Sequence, residues 1–151
     1  MAVKAIPEGY HSLTPYLVCK GAAKAIEFYQ KAFGAVEIVR MPGPGDRIMH
    51  AEVKIGDSFL MLSDENPERG YLSPLTVGGA SSSVMLYTDD VDATFKNAIG
   101  GGAKSTSEPT DMFWGDRMGT FTDPFGHNWA VATHKEDVSP EEMQKRMSAM
   151  A

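Results

Sequence analysis

His50 and Glu52 stand two apart in the alternating stretch Ile48-Met49-His50-Ala51-Glu52-Val53-Lys54-Ile55. On a strand that spacing points both side chains to one face. An imidazole beside a carboxylate can shuttle a proton or contribute to a metal site. A hydrogen-bonded pair on a sheet surface or subunit interface needs the same spacing, and no third ligand has an evident place. A second group, Trp114-Gly115-Asp116-Arg117, joins an indole that can wall a pocket to a guanidinium that can grip a carboxylate, stack on a ring or pair with Asp116. His127 follows Pro124 in a turn and reads as a packing residue, while His11 and His134 read as exposed. Cys19 has no cationic motif beside it and reads as a buried, inert thiol. Met49, Met61, Met85, Met112 and Met118 suit either a core or an adaptable pocket.

The elements that must position these groups occur twice. Ser12 to Cys19 reads as a strand. Ala25, Ile26, Tyr29, Ala32 and Phe33 then recur at helical spacing, and Gly34 provides the stop. Val36 to Arg40, Ile48 to Ile55 and Ser58 to Ser63 follow as strands, with turns at Pro42-Gly43-Pro44-Gly45 and Gly56-Asp57. The second half offers a strand over Ser82 to Thr88 and a helix from Asp90-Val91-Asp92 to Gly100-Gly101-Gly102. Strands over Lys104 to Ser107, Met112 to Thr122 and Asn128 to Thr133 complete it. Residues 12–63 and 81–134 therefore form two βαβββ modules joined by a linker over 64–80. Neither module alone buries enough surface to stand by itself, so residues 1–151 make one domain. Ser139-Pro140-Glu141-Glu142 opens a short C-terminal helix over 139–150. Its stripe of Met143, Met147 and Met150 is expected to dock on the body or on a partner subunit.

Ala22-Ala23-Lys24-Ala25-Ile26-Glu27-Phe28-Tyr29 with Phe33-Gly34, then Asp90-Val91-Asp92-Ala93, then Asp123-Pro124-Phe125-Gly126-His127 resemble the vicinal-oxygen-chelate superfamily. That group includes glyoxalase I, extradiol dioxygenases and bleomycin-resistance proteins. Trp114-Gly115-Asp116-Arg117 and the stretch from Thr133 to Val138 resemble its bleomycin-resistance-like branch. The resemblance implies an α+β fold: two βαβββ repeats whose curled mixed sheets surround a cup, with helices on the outer faces, commonly as a homodimer. It also implies metal positions on four strands, which carried across fall on Thr14, Leu60, Ser83 and Ala130. None is a donor of the type a divalent transition ion prefers, and a one-residue slip to Met61 and its equivalents brings none.

Alternation then assigns Leu17, Phe59, Met61, Val84, Leu86, Trp129 and Val131 to a helix-facing side. Thr14, Tyr16, Leu60, Leu62, Ser83, Met85, Tyr87, Asn128 and Ala130 fall on the cup side. The expected site has Tyr16, Met85, Tyr87 and Trp114 as walls and His50, Glu52 and Arg117 as polar contacts. The expected function is metal-free sequestration of a small organic molecule. The alternative is a lyase, isomerase or dioxygenase-like enzyme using a divalent metal on nonstandard ligands.

Composition agrees with a folded chain and excludes other classes. Apolar residues make up 42% and charged residues 23%, with 14 basic against 20 acidic residues and a net charge of −6. No cationic cluster exists to displace phosphate counterions, which disfavours nucleic acid, and the acidic balance mildly favours a cationic ligand. No apolar run approaches the roughly 18–20 residues of a membrane span. A single cysteine and no signal-like start lead to an expected cytoplasmic location. A phosphate-binding loop, a Gly-x-Ser-x-Gly elbow and a Cys-x-x-Cys pair are all absent.

Overall fold

The computed structural model describes residues 2–151. The first module runs β1 (Tyr16–Cys19), α1 (Ala22–Phe33), β2 (Val36–Pro42), β3 (Ile48–Ile55) and β4 (Ser58–Asp64). A 3₁₀ turn (Pro67–Arg69) and a single helical turn, α2 (Pro74–Val77), lie in the linker. The second module runs β5 (Ser83–Tyr87), α3 (Val91–Gly100), β6 (Lys104–Asp111), β7 (Asp116–Thr122) and β8 (Asn128–His134), and α4 (Pro140–Met150) ends the chain. Each module folds into a mixed four-stranded sheet of identical topology, β1-β4-β3-β2 and β5-β8-β7-β6. In both, the first strand pairs parallel with the last and the remaining pairs are antiparallel.

Local chemistry sets the ends of the helices. Asp90 caps α3, its carboxylate accepting from Ala93 N–H at 3.1 Å. The start of α1 has no capping side chain of its own. Asp64 at the end of β4 supplies one, accepting from Gly21 N–H at 3.1 Å and Ala22 N–H at 2.7 Å. Its other oxygen takes Ile48 N–H at 2.7 Å, so one carboxylate joins helix, strand and turn. Gly34 ends α1 at φ 68°, a backbone state that a residue without Cβ reaches at little cost.

Ala22, Ala25, Ile26, Tyr29 and Ala32 of α1 are buried, as their spacing requires. The two helices pack against each other. Phe28, Tyr29 and Phe33 of the first module meet Phe125, Trp129 and Phe121 of the second in one aromatic cluster. The modules thus share a single core, centred on the sheet faces that the helices cover. Cys19 lies fully buried within it.

Three sequence expectations shift. The first strand starts at Tyr16 rather than Ser12, since Pro15 has no N–H to give a ladder. The strand expected from Met112 begins at Asp116, because Met112 to Gly115 form a turn in which Gly115 takes φ 105°. The strand from Lys104 runs on to Asp111 through two register irregularities.

A fourth correction concerns the faces of the first sheet. Leu60 and Leu62 are buried on the helix side, level with Leu17, Ala51 and Val53. Phe59 and Met61 lie on the opposite face, where Met61 pairs with Tyr16 on one side and Glu52 on the other. In the second sheet the assignment agrees with burial. Trp129 and Val131 are buried, whereas Ser83, Met85 and Tyr87 are exposed.

Ser139 caps α4 through Glu142 N–H at 3.2 Å. The helix is held by Arg146, which donates to Phe113 O at 3.1 Å and Glu136 Oε1 at 2.6 Å. Met147 and Met150 of its apolar stripe remain exposed.

Candidate functional site

On the open face of the first sheet, β1 and β3 bring Tyr16, His50 and Glu52 into one hydrogen-bonded row. Tyr16 Oη lies 3.0 Å from His50 Nδ1, and His50 Nε2 lies 3.2 Å from Glu52 Oε2. The carboxylate accepts from Nε2–H; in the neutral imidazole Nδ1 then accepts from the Tyr16 hydroxyl, and in the imidazolium Nδ1–H donates to the phenol oxygen instead. The side chains of His50 and Glu52 are 23% and 15% exposed, while Tyr16 is 47% exposed and forms the accessible end of the row.

The open face of the second sheet carries a different cluster, centred on Asp116 at the start of β7. Its carboxylate accepts from Tyr87 Oη at 2.8 Å, Trp114 Nε1 at 3.1 Å and His134 Nδ1 at 2.7 Å. The other His134 nitrogen donates to Asp137 at 2.8 Å. Burial pushes the Asp116 carboxyl up, but the His134, Tyr87 and Trp114 donors together hold it below the usual range. The Tyr87 phenol is raised by its bond to Asp116. The His134 imidazole is raised by Asp137 and Asp116, which both favour its charged form. Sequence reasoning named Tyr87 and Trp114 as walls and read Asp116 only as a possible pair for Arg117. The usable signal was position: Asp116 has the strand parity of Met118 and Thr120 on the open face, and a buried carboxylate there needs donors.

Arg117, next along β7, points the other way. Its Nε and Nη2 donate to Asp92 of α3 at 2.9 and 3.1 Å and its Nη1 to Asp111 at 3.3 Å. Of the seven expected ligand contacts, Tyr16, His50 and Glu52 therefore meet on the first sheet. Met85, Tyr87 and Trp114 belong to the second, and Arg117 ties a helix to the back of that sheet.

His127 donates from Nε2 to Val18 O at 2.8 Å, linking the last turn to β1. The preceding Asp123 is 4% exposed and serves as a structural hub. It accepts from Tyr29 Oη at 2.6 Å, Trp129 Nε1 at 2.9 Å, Phe125 N–H at 2.9 Å and His127 N–H at 3.0 Å. Burial, then the adjacent Asp123 charge, push the Tyr29 phenol well up. Burial does the same to the Cys19 thiol. The Asp-Pro-Phe-Gly-His motif is thus spent on joining the modules.

Two hollows flank the open faces. One of about 660 Å³ lies at the seam between modules and is lined by Thr14, Phe33, Phe59, Met85, Tyr87 and Trp129 among others. The second, of about 550 Å³, has Tyr16, Met49, Arg47, Arg69, Asn66 and Tyr71 in its wall.

The donor set does not suit a metal. With Leu60 turned into the core, the open-face position on β4 is Met61, so the four strand positions present Thr14, Met61, Ser83 and Ala130. Two hydroxyls, a thioether and a methyl do not make a site for a divalent ion. Among the described residues no three His, Cys, Asp or Glu side chains group to hold one, and no helix is long and apolar enough to cross a membrane.

Comparison with known proteins agrees with this architecture. An uncharacterised protein of Mycobacterium bovis is 40% identical over 141 residues, covering 91% of this chain and 93% of the relative. A crystal structure of a Pseudomonas aeruginosa protein superposes with a TM-score of 0.66 at 26% identity, covering 83% of this chain and 99% of that one. FosX, a fosfomycin resistance protein of Listeria monocytogenes solved with Mn(II) and a dihydroxypropylphosphonic acid, shares the fold. Its TM-score is 0.63 at 16% identity, over 91% of this chain and 96% of that one. The profile of the Glyoxalase/Bleomycin resistance protein/Dioxygenase superfamily matches residues 10–131, most of both modules, and this chain belongs to that superfamily.

Proposed function

We propose that the protein is a cytoplasmic, metal-free receptor for a small organic molecule, and that the ligand cup forms between two copies of the chain. The observation that carries this reading is the state of the two open sheet faces. Tyr16, Val36, Met41, Met85 and Tyr87 are between 42% and 60% exposed. The opposite faces are covered by helices that already pack on each other. Apolar and aromatic groups left open on two matching sheets suit a second copy, with the first sheet of one chain facing the second sheet of the other. The hollow so enclosed would have aromatic walls and few polar groups, as ligand sites commonly do.

The test has three parts. Light scattering should give twice the chain mass, and Met85→Asp on the open face should give a monomer. Small aromatic or cationic compounds should raise the melting temperature of the dimer. Elemental analysis should find no stoichiometric metal. A monomeric wild type, or one bound transition ion per chain, overturns the reading and favours the metal-dependent enzyme.

A further inference from the structure

We propose that the row Tyr16–His50–Glu52 is a proton relay, and that it makes the hollow bordered by Tyr16 catalytic toward small 2-oxo acids. The inference rests on the reading that the open face of the first sheet belongs to a ligand site, and goes beyond sequestration.

The geometry supplies direction. With the imidazole neutral, the state in which the relay operates, Glu52 accepts from His50 Nε2–H and Nδ1 accepts from the Tyr16 hydroxyl 3.0 Å away. The phenol oxygen, its hydrogen committed to His50, keeps lone pairs for a ligand proton on the exposed side. A carbon-bound hydrogen next to a carbonyl can pass as a proton to Tyr16 Oη while the Tyr16 hydrogen passes to His50 Nδ1. The electron pair of the broken C–H bond stays on the ligand as an enolate, and Glu52 offsets the imidazolium charge. Reversal returns a solvent-derived hydrogen to the same carbon, so no oxidant or second reactant is consumed.

The ligand class comes from the hollow that Tyr16 lines. Arg47 and Arg69 share its wall. The guanidiniums of Arg40, Arg117 and Arg146 each pair with carboxylates, whereas those of Arg47 and Arg69 have no such partner among the described residues. The acids of that wall are largely engaged. Asp64 accepts three backbone N–H groups and Glu65 accepts Ser73 N–H at 2.7 Å, leaving Glu68 exposed. The two guanidiniums without an ion-pair partner line the same hollow as the phenol, and their donors suit a carboxylate and an enolate oxygen. In this arrangement Tyr16 is the catalytic residue, and His50 and Glu52 position and polarise it.

The experiment follows exchange of the methyl hydrogens of pyruvate in deuterated water by proton NMR with the full-length protein, using hydroxyacetone as the probe without a carboxylate. Wild type should accelerate exchange of pyruvate more than that of hydroxyacetone. Tyr16→Phe and His50→Gln should each lower the catalysed rate constant about 100-fold or more with KM little changed. Glu52→Asp should recover part of what Glu52→Gln loses, and Arg47→Ala should raise KM for pyruvate alone. Saturation-transfer NMR on the same samples reports pyruvate binding, and thermal melts confirm that the variants fold. Pyruvate bound without exchange, or exchange that survives Tyr16→Phe, overturns the relay and leaves the receptor reading standing. Neither binding nor exchange overturns the relay and its ligand class together, while the mass measurement above judges the cup independently.

Discussion

Tyr29 of α1 donates its hydroxyl to Asp123 of the last turn across 2.6 Å, so a phenol in one module is anchored to a carboxylate in the other. Both residues are almost wholly buried, and Asp123 also receives Trp129 Nε1 and two backbone N–H groups. Tyr29→Phe removes one donor and should cost about 1–3 kcal/mol. Asp123→Ala strands every donor at once and should cost about 3–5 kcal/mol. Chemical denaturation of both variants checks the order. Equal losses would show that the carboxylate is not the hub.

Gly115→Ala should release the C-terminal arm. At Gly115 φ is 105°, and a Cβ would stand 2.2 Å from the Glu136 carbonyl oxygen. Lys135 and Glu136 both donate their N–H to Gly115 O, so the turn and the arm move together. The strained backbone should cost about 1–3 kcal/mol. Hydrogen exchange should quicken at the amides of Lys135 and Glu136 before it quickens in β7 and β8.

The His134 clasp should be pH-dependent. Asp137 and Asp116 raise its pKa in the folded state, so it binds protons more tightly than in the unfolded chain. Its contribution is therefore fully present below the ordinary histidine value of 6.5 and is lost as pH rises through the raised folded value. His134→Gln should lower the melting temperature at pH 6 and differ little from wild type in alkaline buffer. An undiminished difference at high pH would mean that the ring matters for packing rather than charge.

Glu65 behaves in the opposite sense. Its bonds from the Thr76 side chain and Ser73 N–H hold its carboxyl at about 2. That support for the linker persists above the ordinary glutamate value of 4.5 and fades as pH falls from there toward 2. Acid should loosen residues 65–77 ahead of the sheets, and amide exchange between pH 5 and pH 3 measures it.

Arg117→Ala should leave ligand binding unchanged, since the guanidinium faces Asp92 and Asp111 on the back of the second sheet. A small loss of stability, seen as a slightly lower melting temperature, is the expected outcome. A large loss of affinity would place Arg117 in the cup after all.

Much of the fold was legible because its punctuation is local: Gly34 and Asp90 delimit helices wherever they occur. The two-module order and the domain core followed from it. The face of β4 was not legible. Phe59, Leu60, Met61 and Leu62 are all apolar, so alternation carries no parity there, whereas His50, Glu52 and Lys54 alternate with Ala51, Val53 and Ile55 on the neighbouring strand. Pairing through β3 sets the face, and that pairing is a tertiary fact. Proximity in sequence also misled at β7, where Asp116 and Arg117 are neighbours that serve opposite sides of the sheet.

Cys19 offers a practical consequence of the shared core. Its sulfur is fully buried in that core, and burial pushes the thiol pKa well up and so keeps it unreactive. Alkylation of this thiol by iodoacetamide would require the core around β1 to open, so the labelling rate becomes a clock for that opening. A compound that binds only the closed fold should slow the clock, whatever its chemistry, and a library can be screened by mass alone.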